Sequence, residues 1–232
     1  MPPCSTTSSR ALVLIHSAAM LLVTYGLAMS AELHVSPSGN DENPGTSTAR
    51  LGTIVEAARR AQPGDTVTVH EGIYRERVNP PRGGTSDTNR IVYQAAPGER
   101  VVITGSEPVK GWQKVGGDTW KVTIPNSLFG EFHPYADLIH GDWFKDKGRK
   151  HHTGCVYLNG DWLMEAASFD DVFRPAGKTP MWVAQVDGTV VYAQFPGVNP
   201  NGQLVEINVR QTLFTPGPFE EPGQGDVKLK VW

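Results

Sequence analysis

Hydrophobic and polar positions alternate in two rhythms along this chain. Leu51 to Gln62 (LGTIVEAARRAQ) places Leu51, Ile54, Val55, Ala58 and Ala61 or Gln62 at i, i+3, i+4, i+7 spacing, which predicts one amphipathic helix. Arg59 and Arg60 fall in its last turn, where cations suit the helix dipole, and Pro63-Gly64-Asp65 stops it. Everything else reads as short strands. Leu33–Val35, Thr66–His70, Ile73–Val78, Ile91–Gln94 and Val101–Thr104 are Val- and Ile-rich runs separated by polar turns. A helix followed by strand after strand at coil-like spacing predicts a right-handed parallel β-helix: a few N-terminal coils with a capping helix over the open end.

The rhythm changes near Glu107. Val115-Gly116-Gly117-Asp118, Leu158-Asn159-Gly160-Asp161 and Val186-Asp187-Gly188-Thr189 each sit between two alternating runs. Asn-Gly and Asp-Gly pairs are strong hairpin signals because both central residues take positive φ. Residues 107–203 therefore read as an antiparallel β-sandwich insertion, and the fold class is all-β. LVEINVR (Leu204 to Arg210) alternates again and would return the chain to the β-helix. The expected organisation is 1–30 signal peptide, 31–106 coils, 107–203 insertion, and 204–232 return strand and tail.

The first thirty residues change the compartment. Arg10 precedes the mostly apolar stretch Ala11 to Ala28, and Ala28 and Ser30 give a small-residue cleavage pattern before Ala31. A secreted or periplasmic protein is expected, with no membrane attachment after removal of that segment. Cys4 lies before the apolar stretch. Its removal leaves Cys155 alone, read as a small core residue. Two cysteines exclude a disulfide framework and a four-cysteine zinc site.

Net charge is −3, from 21 basic and 24 acidic residues, so no basic surface for nucleic acid is indicated. The acids of Ser36 to Thr48 do not have EF-hand spacing and read as an ordinary turn. No nucleophile elbow, phosphate loop or HExxH motif occurs, and no cofactor or metal is expected.

Aromatic residues carry the remaining chemistry. Five of the six Trp lie in the insertion, and aromatic faces stack on sugar rings. Trp120 and Trp162 alternate with polar neighbours in hairpins and read as core. Trp112 and Trp143 lie at turns and read as open. Gly141 to Gly154 (GDWFKDKGRKHHTG) reads equally as a polar ligand site or a solvated loop. Its adjacent His151 and His152 would face opposite ways in a strand and could not chelate one metal together. Trp112, Trp143 and His152 are the candidate sugar contacts, and no catalytic residue is assigned.

The runs HVSPSGNDENPGTS, PGDTVTVHEGIYRERV and IVYQAAPGERVVITGSE resemble the N-terminal coils of many secreted β-helix proteins that act on carbohydrates. VKGWQKVGGDTWKVTIPNSLFGEFHPY, GDWF, HHTGCVYLNGDWLMEA and LVEINVR resemble glycoside hydrolase family 120, the β-xylosidases. The resemblance covers about Glu32 to Leu213. It implies a β-helix interrupted by a β-sandwich, retaining hydrolysis of xylo-oligosaccharides by two carboxyl groups, and oligomers in which the insertion reaches a neighbour's groove. Family members are far longer, and their Asp nucleophile and Glu acid/base lie in later coils that nothing here matches. The final KLKVW resembles the family's C-terminal end, which implies a chain with its central coils deleted. A non-catalytic carbohydrate-binding or interaction module is the alternative.

Overall fold

The computed structural model describes residues 30–215. The apolar segment at 1–29 and the C-terminal run after Thr215 lie outside the described residues, and so do the expectations that fall on them.

The N-terminal part contains β1 (Glu32–Val35), α1 (Ile54–Arg60), β2 (Thr66–Val69), β3 (Gly72–Tyr74), β4 (Val92–Ala95), β5 (Val101–Ile103) and β6 (Ser106–Pro108). Then come β7 (Gln113–Gly116), β8 (Thr119–Thr123), β9 (Val156–Leu158), β10 (Asp161–Trp162), β11 (Met164–Glu165), α2 (Phe169–Phe173), β12 (Met181–Gln185), β13 (Val190–Gln194) and β14 (Val205–Asn208). The described residues are mostly β, as the alternation predicts.

β1, β2 and β4 form one parallel sheet, in which Leu33, Val67 and Tyr93 stack as one row and Val35, Val69 and Ala95 as another. β3 and β5 pair in parallel beside it. Val35, Val67, Val69 and Tyr74 share a core with Ile54, Ala57 and Ala58 of the helix and with Ala61, which caps its C-terminus. The helix is shorter than its periodicity predicts because Leu51 is used elsewhere: it bridges Val35 in parallel, and its N–H donates to His34 O at 2.9 Å. The helix N-terminus is closed by side chains instead. Thr53 Oγ1 accepts from Glu56 N at 3.1 Å, and the Glu76 carboxylate accepts from Ile54 N and Val55 N at 3.0 and 2.8 Å. Asp41, from the acidic turn, accepts from Gly52 N and Thr53 N, which gives that loop a structural role.

A second core lies between two further sheets. One has the order β10-β9-β14-β6, the other β11-β12-β13-β8-β7. Val156, Val205 and Ile207 of the first meet Val122, Trp182, Val191 and Ala193 of the second. All three predicted hairpins form: β7–β8, β9–β10 and β12–β13. At the second, Asn159 and Gly160 have φ of 53° and 89°, as a tight two-residue turn requires. The five-stranded sheet is not purely antiparallel. β11 runs parallel to β12, because α2 lies in the connection between them and lets the chain cross over.

One expectation is displaced. Val205–Asn208 of LVEINVR pairs antiparallel with both β9 and β6, inside the second core. The return to parallel pairing comes later, where Phe214 bridges Val78.

Candidate functional site

The stretch after β8 holds few regular elements and builds a groove. Residues 129–137 face Arg77 and residues 209–211 across a cleft of about 700 Å³. A second cavity of about 320 Å³ shares Phe132, Asp137, Arg210 and Gln211 with it and extends along Leu138 to His140. The cleft holds both signs of charge: Glu131 and Asp137 against Arg77 and Arg210. Arg210 is anchored by its Nη2, which donates to Glu107 Oε1 at 2.5 Å.

The segment continues into a loop pinched at its base. Leu138 bridges His152, Ile139 N donates to His151 O at 2.8 Å, and Thr153 N donates to Asp137 O at 3.0 Å. The loop carries Trp143, which is 74% exposed. Its indole meets Phe144 edge-on at 5.7 Å, and Phe144 meets His151 edge-on at 5.3 Å. Gly141, with φ 138°, sits under the indole; a Cβ there would lie 2.6 Å from Trp143 Nε1, so the ring can fold back only over glycine.

His152 is fixed from below. The Glu165 carboxylate accepts from its backbone N–H at 3.1 Å and lies 2.6 Å from its Nδ1. Arg149 Nη1 donates to Glu165 O at 3.0 Å and ties the loop to the same strand. A carboxylate only accepts, so Nδ1–H is the donor in this pair, which fixes the orientation of the ring.

Trp143 and His152 thus belong to one loop. Trp112 does not join them. It is 3% exposed and packs edge-on against Phe195 at 4.9 Å, with Nε1 donating to Val109 O at 3.2 Å. Its place at a turn suggested openness, but the turn folds over the second core and takes the indole with it. Trp162 is corrected the other way: expected in the core, it is 63% exposed, because β10 has two residues at a sheet edge and its side chain finds no opposing layer. Trp120 is partly buried against the core.

Cys155 is half-buried, and burial pushes its thiol above the ordinary value, away from the reactive thiolate. Among the described residues, no group of three or more His, Cys, Asp or Glu is placed to hold a metal ion. No helix among them is long and apolar enough to cross a membrane.

Arg77, His133, Asp137 and Arg210 were not singled out by the sequence. They come from three distant stretches, and only the fold brings them to one cleft.

Residues 109–184, which hold much of the second core and the Trp143 loop, match the model of the glycoside hydrolase 120 insertion domain. The chain is also similar to XylC, solved as a complex with xylose, at 43% identity and a TM-score of 0.76 over 81% of this chain and 33% of that one. A second solved structure, described as a glycoside hydrolase, shares the fold at 17% identity and a TM-score of 0.53, over 80% of this chain and 47% of that one. Among curated proteins, YwoF of Bacillus subtilis (strain 168), an uncharacterized protein, is 38% identical over 73 residues, which are 32% of this chain and 15% of YwoF. The chain therefore spans about a third of the length of XylC and less of YwoF.

Proposed function

We propose that this chain is the sugar-binding N-terminal part of a secreted, family 120 β-xylosidase-like protein. On this reading residues 31–106 are the first coils of a right-handed parallel β-helix, and the strands from β6 to β14 belong to the inserted β-sandwich. The loop with Trp143 and His152 meets a xylo-oligosaccharide. The observation that carries the reading is the match to the XylC–xylose complex at 43% identity over 81% of this chain. The exposed indole of Trp143 supports it, since such a face stacks on a pyranose ring.

Hydrolysis in this reading needs two carboxyl groups flanking the scissile bond. The resemblance to family 120 puts those groups in later coils, so this reading gives residues 31–215 a sugar-binding role and assigns them no catalytic residue. The test is a pair of measurements on one preparation: calorimetric titration with xylobiose, and release of the aryl group from an aryl β-xyloside. Binding without release is expected. Release at an enzymatic rate would show that catalytic residues lie in this chain, and absence of binding would overturn the sugar role. Secretion is tested by N-terminal sequencing of exported protein, which should begin at Ala31.

A further inference from the structure

We propose that the Trp143 loop takes an acidic sugar: a xylo-oligosaccharide carrying a uronic-acid branch, with Trp143 against a pyranose ring and Lys145, Lys147 and Lys150 drawing in the branch carboxylate. The inference rests on the carbohydrate reading above and deepens it, by naming the class of sugar that the loop prefers.

The way the loop closes brings the three lysines together. Phe144 and His151 meet edge-on at 5.3 Å, and Lys145 follows the one while Lys150 precedes the other. Between them the chain turns back at Lys147 and Gly148, which have φ of 52° and 81°, and Arg149 N donates to Asp146 O at 3.2 Å. Asp146 Oδ1 accepts from Gly148 N at 3.0 Å and holds the turn. A turn with two left-handed central residues favours Asn and Gly. Lys147 sits there at a backbone cost, the mark of a side chain kept for something other than the turn.

The charge of the loop runs against that of the chain. Residues 141–150 carry four basic and two acidic groups, while the whole chain has a net charge of −3. Arg149 is occupied in seating the loop: Nη1 donates to Glu165 O at 3.0 Å and Nε to His151 Nε2 at 3.1 Å. The other three cations are exposed, and among the described residues none of them has an ion-pair or hydrogen-bond partner. A local excess of positive charge attracts an anion even on a chain that is negative overall.

The indole of Trp143, 74% exposed, stands two residues from Lys145. A neutral xylose ring uses such a face and leaves the ammonium groups in water. A carboxylate joined to the same oligosaccharide meets them while the ring still stacks, and a charge-assisted hydrogen bond is stronger than a neutral one. Lysines are flexible point charges, which suits a carboxylate on a mobile branch better than the fixed fork of an arginine does.

The test is calorimetric titration of the whole chain with two probes, xylotriose and xylotriose bearing one glucuronic-acid branch. At low salt the acidic probe should bind about fivefold more tightly, the order for a few exposed charge pairs. The advantage should vanish at about 0.5 M salt, where the screening length is only about 4 Å. Lys145→Gln, Lys147→Gln and Lys150→Gln combined should abolish the advantage and leave the neutral probe's affinity as it was. Trp143→Ala should weaken both probes alike. Equal affinity of the parent for the two probes overturns the proposal and leaves the sugar reading standing; if neither probe binds, both fall. An advantage that survives the triple variant, or a triple variant that loses both affinities alike, also overturns it. So does displacement of the acidic probe by polyglutamate at equal carboxylate concentration, which would show an anion site indifferent to sugar. Should the triple variant fail to fold, the salt series on the parent decides: an advantage that persists at about 0.5 M salt overturns the proposal.

Discussion

Arg75 Nη1 lies 2.7 Å from Glu206 Oε1, and this contact crosses from the parallel layer to the antiparallel one. The same Nη1 donates to Ser106 O at 2.6 Å, and Ser106 Oγ donates to Glu206 Oε1 at 3.0 Å. Both side chains are mostly buried. Arg75→Met leaves Glu206 with Ser106 alone and should destabilise by about 1–3 kcal/mol, in the range for stranding a part-buried charge. Urea unfolding of Arg75→Met, Glu206→Gln and the double variant checks it. The double variant should cost less than the sum of the two, by about 0.5 kcal/mol or more. Strict additivity would show that the two groups do not act together.

Trp143→Ala should weaken xylobiose binding by about 1 kcal/mol, the order expected for loss of an exposed aromatic stacking face. The indole packs on Gly141 and Phe144 of its own loop, so the melting temperature should hold. Unchanged affinity in the folded variant would remove Trp143 from the site.

Gly154→Ala tests how the loop is seated. A Cβ there would lie 2.6 Å from Tyr135 Cδ1 and 3.2 Å from Trp182 Cη2, and both rings are fully buried. Neither ring has space to withdraw, since they meet edge-on at 5.3 Å. A loss of about 1–3 kcal/mol is expected, the usual cost of overpacking a core. A variant as stable as the parent would show that the aromatic cluster can yield.

Tyr93→Phe should run the other way. The hydroxyl of Tyr93 is buried without a partner, and burial pushes its phenol up to about 12. The ring meets Phe214 edge-on at 5.0 Å, a contact that Phe keeps. Removing an unpaired hydroxyl should be neutral or stabilising by up to about 1 kcal/mol at pH 7. The gain should grow above pH 10, where the unfolded phenol ionises and the buried one does not. A clear loss of stability at neutral pH would mean the hydroxyl has a partner.

Acid should loosen α1 in a defined window. The Arg59 side chain, then that of Arg60, hold the Glu56 carboxyl down at about 2, against an ordinary 4.5. A lowered carboxyl contributes stability that is present above 4.5 and lost as pH falls through about 2. The carboxyl is part-buried but its Arg59 partner is largely exposed, so solvent screens the pair and the contribution is small, about 0.5 kcal/mol. A carbon NMR titration of the Glu56 carboxyl checks it; a midpoint near 4.5 would mean the two arginines do not hold it.

The sequence showed local features well. The hairpin turns at Gly116-Gly117, Asn159-Gly160 and Asp187-Gly188 were legible because a positive φ restricts the residue type at the turn itself. The burial of Trp112 and the exposure of Trp162 were not. Whether a side chain is covered depends on which sheet passes over it, and alternation within one strand does not carry that. For the same reason Val205–Asn208 was legible as a strand but not as a partner of β9 and β6. The cleft was the least legible part. His133 depends on Thr189 and Asn126, and Arg210 on Glu107, pairings set wholly by tertiary contact.

β6 and β14 run side by side, from Ser106 opposite Asn208 to Pro108 opposite Glu206. The backbone thus departs from the N-terminal layer and rejoins it at one seam. Whatever lies between Pro108 and Val205 can lengthen, shorten or change its loops without shifting Val78 against Phe214, because those two positions are set on the near side of the seam. In a gardener's terms the inserted part is a scion on a stock: if the union is kept, one graft can be exchanged for another.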